Sequence, residues 1–274
     1  MKKLAKSVIG IMTVLAVCFG LAACSGGKTE NGIETSLEAG TQTITKKAYA
    51  IFPGGIYVLE GVVTMESDKV MNCDISEINT MIFWGNVSRS LTSEEAVMLG
   101  EDNIQSALAR GHRGPEDARF AKYVQVGDVV FTANADSEGY ISYTSDKTGD
   151  VVSYFDKSED NIAWYVGQMY AGNYWLLKKA EDGYEKIDIA SFYQDAAGSR
   201  LEKGESQNKK IRKHWEGWLP NIEKIESFFM KNGFIDGDFK KGEDGVWAVA
   251  DAVSGATINQ FEGYAGVLYE AYKK

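Results

Sequence analysis

Hydrophobic and polar positions divide the chain into three stretches. Residues 8–23 form one unbroken apolar run. Residues 25–47 are rich in Gly, Ser, Thr, Glu and Lys and hold few large apolar side chains. From residue 48 onward, short β-branched and aromatic runs mix irregularly with segments of three- and four-residue apolar spacing. The run at 56–65 reads as a strand, and 70–75 reads as its partner across Ser67-Asp68-Lys69. Further strands are expected at 123–135, 140–144 and 151–155, joined by Asp136-Ser137-Glu138-Gly139 and Asp146-Lys147-Thr148-Gly149 turns. A hairpin is expected from 174–179 and 184–189 around Glu181-Asp182-Gly183. Helical spacing predicts 93–109, with Ser93 as cap, Glu94 and Glu95 in the first turn and Gly111 past the end. It also predicts 160–170, 207–218, 220–231 and 256–272, with Pro220 at a first helical position and Gly233 as a stop.

Strands and helices do not alternate regularly, which predicts an α+β fold with a mainly antiparallel sheet and packed helices. No repeat of fixed period is present. Residues 48–274 read as one α+β region, with a split near 200 left open and 205–274 holding the most informative motif. A hydrophobic share of 44% and a charged share of 25% exclude a disordered chain. The formal net charge of -10 becomes about −13 once Lys2, Lys3 and Lys6 are removed with the leader. So acidic a surface repels phosphate backbones, so no nucleic-acid partner is expected. It also disfavours adhesion to anionic lipid through a basic patch.

Membrane attachment is expected by another route. Met1-Lys2-Lys3 and Lys6 precede the apolar run, which at 16 residues is short for a membrane span. The run ends in Leu21-Ala22-Ala23-Cys24, followed by Ser25-Gly26-Gly27. This resembles the bacterial lipobox, which implies that 1–23 is a lipoprotein signal peptide and that Cys24 carries the lipid anchor. Residues 24–47 are then a flexible tether, reaching roughly 25–30 Å from the bilayer. The expected location is the extracytoplasmic face of a bacterial cell membrane. With Cys18 removed and Cys24 lipidated, only Cys73 remains, so no internal disulfide can form. Cys73 lies in a strand-like run and reads as a small buried hydrophobe.

The stretch that carries chemistry is Asp251-Ala252-Val253-Ser254-Gly255-Ala256-Thr257, followed by Ile258-Asn259-Gln260-Phe261. It reads as a strand or loop entering the last helix. Ser254 would cap that helix and Thr257 would stand in its first turn. Ile258, Phe261, Ala265, Leu268 and Tyr272 would share the buried face. Free N–H groups at such a start suit a phosphate. An ordinary capped helix explains the same residues equally well.

Asp-x-x-Ser-Gly-Ala-Thr resembles the modification motif of covalent FMN-binding domains. Those domains occur in flavinylated subunits of sodium-pumping quinone reductase and Rnf complexes and in extracytoplasmic lipoproteins. The resemblance covers about residues 215–274. It implies that a separate flavin transferase moves FMN from FAD onto Thr257 as a phosphoester, with Asp251, Ser254, Gly255 and Ala256 as the surrounding motif. Asn259 departs from the pattern, where Ser or Thr is common. The implied role is an electron-transfer carrier fed by a membrane quinone-linked donor, with covalent attachment preventing loss of the cofactor outside the cell. An aromatic shelf for the flavin ring is sought among Trp247, Tyr264, Trp215 and Trp218, with Trp247 nearest the motif strand.

Two other functions remain open on the sequence. One is a flavin-dependent extracytoplasmic reductase with a substrate pocket in residues 48–190. The other is a solute-binding or surface-interaction lipoprotein without flavin. No catalytic residue and no metal site are assigned, since His112 and His214 are isolated and no Ser/His/Asp pattern is evident.

Overall fold

A computed structural model describes residues 42–52, 54–90, 97, 100–105, 118–187, 191–194, 200–202, 217–250 and 252–274. The expected signal peptide, Cys24 and the expected tether up to residue 41 fall outside the described residues. So do Trp215, Asp251, both histidines and residues 207–216 of an expected helix.

The first sheet is an antiparallel meander of β1 (Thr43–Ile51), β2 (Tyr57–Glu66) and β3 (Lys69–Asn79). β2 and β3 pair as the sequence predicts, with Val63 opposite Cys73, but Lys69, expected in the turn, pairs with Glu66. Side chains alternate across this sheet, and both faces are buried. Leu59, Val63, Met65, Cys73 and Ile75 enter one apolar core, while Val58 and Ile78 enter another. The sheet is therefore a wall shared by two cores, and β2 reads as a nearly continuous hydrophobic run for that reason.

On one side lie the short helices α1 (Met81–Trp84) and α2 (Val87–Ser90) and two strands, β4 (Asn103–Gln105) and β5 (Arg119–Ala121). Beside them runs a six-stranded antiparallel sheet. Its strands are β6 (Tyr123–Val126), β7 (Val129–Ala135), β8 (Ile141–Ser145), β9 (Gly149–Asp150), β10 (Tyr174–Ala180) and β11 (Gly183–Ile187), in the order β11-β10-β6-β7-β8-β9. Helices α3 (Val151–Lys157) and α4 (Glu159–Tyr170) pack between this sheet and β1. A further pair, β12 (Ser191–Gln194) with β13 (Arg200–Glu202), is antiparallel.

On the other side of the wall, α5 (Trp218–Asn232) lies on β3, and α6 (Phe261–Lys273) lies on β1 and β2. A small sheet of β14 (Phe239–Lys241), β15 (Trp247–Val249) and β16 (Ala252–Val253) completes this layer. Helix α5 buries Trp218, Ile222, Ile225, Phe228 and Phe229, a three- and four-residue stripe. It stops at Gly233, whose φ of 71° suits glycine and whose N–H donates to Phe229 O. Residues 218–271 and residues 48–75 thus share one apolar core.

The α+β, mainly antiparallel class holds. Four local expectations change. Residues 123–135 are two strands, because Gly127, at φ 58°, turns the chain back on itself. Residues 151–155 are helical: the Asp150 carboxylate accepts from Ser153 N at 2.9 Å, and Val151 and Phe155 bury one helical turn apart. Asn103–Gln105, expected in a helix, pairs with β5 as a strand, and most of 93–109 lies outside the described residues. The last helix begins at Phe261, five residues later than expected from 256.

Candidate functional site

The motif residues lie between β15 and α6 rather than in the first turn of a helix. Trp247 N donates to Ala256 O at 2.9 Å, and Ser254 N donates to Trp247 O at 2.8 Å. One residue of β15 thus pairs with two residues two apart, and Gly255 is left bulged between them. Its φ of 74° is left-handed, where a side chain would be strained. The Ser254 hydroxyl donates to Trp247 O at 2.6 Å and accepts from Ala256 N at 3.1 Å. Ala256 is fully buried. Thr257 is exposed. Ala250, at the tip of the β15–β16 turn, also has a left-handed backbone, with φ 49°. That strain sits beside the motif and is held by the pairing around it.

A residue distant in sequence fixes the next part of the loop. Asn221 on α5 has its amide oxygen 2.6 Å from Thr257 N, 3.2 Å from Ile258 N and 3.4 Å from Thr257 Oγ1. These N–H groups are therefore already bonded and are not a phosphate cradle, which corrects the expectation of a free helix start. Helix α6 starts only where the backbone donors are no longer claimed, with Gln260 at its N-cap making no side-chain capping bond. Asn221 was not singled out in the sequence. The signal was there: a polar residue beside Ile222 on the apolar stripe of α5.

Trp247, the best candidate for a shelf under the flavin ring, is buried, which agrees with the core reading that the sequence favours for each of these aromatics taken alone. Its ring stacks on Phe261 with centroids 5.3 Å apart, and its Nε1 donates to Ile258 O at 2.8 Å. Trp218 and Tyr264 are also core residues. Trp218 Nε1 donates to the Tyr264 hydroxyl at 3.1 Å, and that hydroxyl donates to the buried Glu77 carboxylate. Burial, reinforced by the Glu77 charge, pushes the Tyr264 phenol well above its usual value.

A cavity of about 540 Å³ opens between α5 and β16, within the range of small-molecule sites. Ser254 of the motif, Phe228, Val253, Lys224 and Lys231 are among its lining residues. Val253 is 67% exposed, a large apolar side chain beside the motif. The Lys224 stem reaches within 3.9 Å of where a Gly255 Cβ would stand. Asn221, Lys224 and Phe228 follow one another at helical spacing along α5, so the hydrogen bond to Thr257 and the cavity share one face. Lys224 and Lys231 bring two ammonium groups to the cavity, Glu223 brings one carboxylate, and Phe228 and Val253 form an apolar wall.

A second cavity of about 560 Å³ has no lining residue in common with the first. It lies between Phe52, Gly55 and Val152, with Asp136, Asp150 and Asp156 contributing carboxylates. Among the described residues, no group of three or more His, Cys, Asp or Glu is placed to hold a metal ion. No described helix is long and apolar enough to cross a membrane.

Structure thus brings Ser254, Gly255, Ala256, Thr257 and Trp247 together, while Asp251 and Cys24 lie outside the described residues. Comparison with known proteins adds no relative: no family model, no curated protein and no solved structure matches the chain.

Proposed function

We propose that this chain is a membrane-tethered extracytoplasmic flavoprotein in which FMN is attached through its phosphate to Thr257 Oγ1, and that it serves as an electron carrier. The observation that supports this reading most is the presentation of Thr257. Its hydroxyl is exposed, its backbone is fixed by a buried amide, and a cavity lined by Lys224, Lys231, Phe228 and Val253 opens beside the motif. Lys224 and Lys231 would face the anionic end of the cofactor, and Phe228 and Val253 would cover its apolar ring. Bound FMN supplies one- and two-electron redox chemistry that no protein side chain here provides. The protein's own work is then to hold the attachment point rigid and to limit water at the ring. Lipid on Cys24 would keep the carrier within reach of a quinone-linked donor in the membrane, and two or more acyl chains suffice for stable anchoring.

Peptide mass spectrometry tests the attachment. The full chain is co-expressed with a flavin transferase beside a Thr257→Ala variant. An added mass of FMN less one water on the Thr257 peptide, absent in the variant, is expected. No added mass, with the same transferase modifying another acceptor, would overturn the proposal and leave an anchored binding protein. The second cavity favours one alternative, a reductase with a substrate site in the larger sheet region. Strong preference for one small acceptor in a steady-state assay would support that alternative, and indiscriminate transfer would support the carrier.

A further inference from the structure

We infer that Asn221 is the positioning residue that makes Thr257 a flavin acceptor; this rests on the reading of Thr257 given above. Asn221 is 7% exposed, yet it stands on the apolar face of α5. Its side-chain nitrogen donates to Gly217 O at 2.7 Å, which turns its oxygen toward the motif. That oxygen accepts from two consecutive backbone donors, Thr257 N and Ile258 N, and lies 3.4 Å from Thr257 Oγ1. Two bonds fix the oxygen, and the third steers the hydroxyl. With its proton drawn toward Asn221, Thr257 Oγ1 presents its lone pairs to solvent, where a transferase must approach.

The neutrality of the amide matters for the reaction. Thr257 Oγ1 attacks the FMN-side phosphorus of FAD. An Oγ1–P bond forms, the P–O bond of the pyrophosphate breaks, and AMP departs with that electron pair. The hydroxyl proton passes to a base on the transferase, because an amide oxygen is too weak a base to keep it. A negatively charged phosphodiester is left beside Asn221. An amide tolerates that charge, whereas a carboxylate in the same place repels both the incoming pyrophosphate and the product.

Asn221→Asp therefore separates positioning from simple support. It keeps an acceptor for both backbone N–H groups, but it adds a charge and loses the donor to Gly217 O. The full chain and its Asn221→Asp and Asn221→Ala variants are compared in three ways: thermal unfolding, hydrogen exchange at Thr257 N and Ile258 N, and the rate of flavin incorporation with FAD and transferase. The Asp variant is expected to melt lower, through the lost bond to Gly217 O and the buried charge, yet to keep protection at both amides and to take up flavin at least tenfold more slowly. The Ala variant is expected to lose protection at both amides and to slow by at least as much. Flavin uptake at the wild-type rate by a folded Asp or Ala variant would overturn the inference. An unmodified wild type, with the transferase active on another acceptor, would instead overturn the Thr257 reading itself, and this inference with it.

Discussion

Replacing Trp247 by Phe removes an indole that ties the motif loop to β15. The indole Nε1 donates to Ile258 O at 2.8 Å, and both residues are buried. Phenylalanine leaves that carbonyl without its partner, which costs about 1–3 kcal/mol. The smaller ring also vacates roughly 40 Å³, worth about 1 kcal/mol at about 24 cal/mol per Å³. The stack on Phe261, at 5.3 Å and 8°, is retained in part, so no further loss is counted for it. The expected cost is about 2–4 kcal/mol in all. Urea unfolding followed by circular dichroism measures it, since fluorescence would lose one of its own reporters. The slope of the transition should stay at the wild-type value while the midpoint falls. A loss below about 0.5 kcal/mol would refute the idea that Trp247 pins the loop, because only surface substitutions cost so little.

Two further outcomes test the packing around the site. Gly61→Ala places a Cβ 2.8 Å from Val267 O and 2.9 Å from Val267 C, both backbone atoms of α6, so helix and sheet must separate. A loss of about 1–3 kcal/mol is expected, and an unchanged melting temperature would show that α6 does not lie this close to β2. Alkaline pH probes the buried phenols. Burial raises Tyr143, Tyr165 and Tyr264 above their usual value, and burial with the Glu60 charge brings Tyr49 up to about 12. Their neutral forms are favoured in the folded chain, so this stability is fully present below about pH 10 and is lost as pH rises from there. Urea midpoints at pH 8 and pH 11 should differ in that direction; equal midpoints would mean that the phenols ionise freely in the native state.

How much of this was legible in the sequence depends on how local the causes are. The β2–β3 hairpin and the end of α5 at Gly233 rest on neighbours a few residues apart, and both were readable. The buried face of α6 was readable too, since Phe261, Ala265 and Leu268 follow helical spacing. The start of α6 was not. Of its expected first donors, Ala256 N is taken by the Ser254 hydroxyl, and Thr257 N and Ile258 N are taken by Asn221, a residue 36 positions earlier than Thr257. No propensity at 254–258 reports on a partner that distant. Residues 151–155 failed for a related reason: Val-Val-Ser-Tyr-Phe has strand composition, but the Asp150 cap and burial of Val151 and Phe155 favour a helix.

The corrected geometry changes what the motif is for. In a capped helix, Ser254 would offer a hydroxyl to the helix start and leave bare N–H groups for a phosphate. Here each residue is already committed. Ser254 closes on Trp247, Gly255 supplies the left-handed bulge, and Ala256 is buried in the core. Thr257 is exposed, with its own N–H and that of Ile258 satisfied from behind by Asn221. An anion binding without a covalent bond would find the N–H groups of Ala256, Thr257 and Ile258 already bonded. An acceptor hydroxyl needs the opposite arrangement, a rigid backbone and one free oxygen, and the loop provides that. On the proposed reading, the residues that a helix cap would use for stability are here arranged around the exposed Thr257, an arrangement that suits covalent modification.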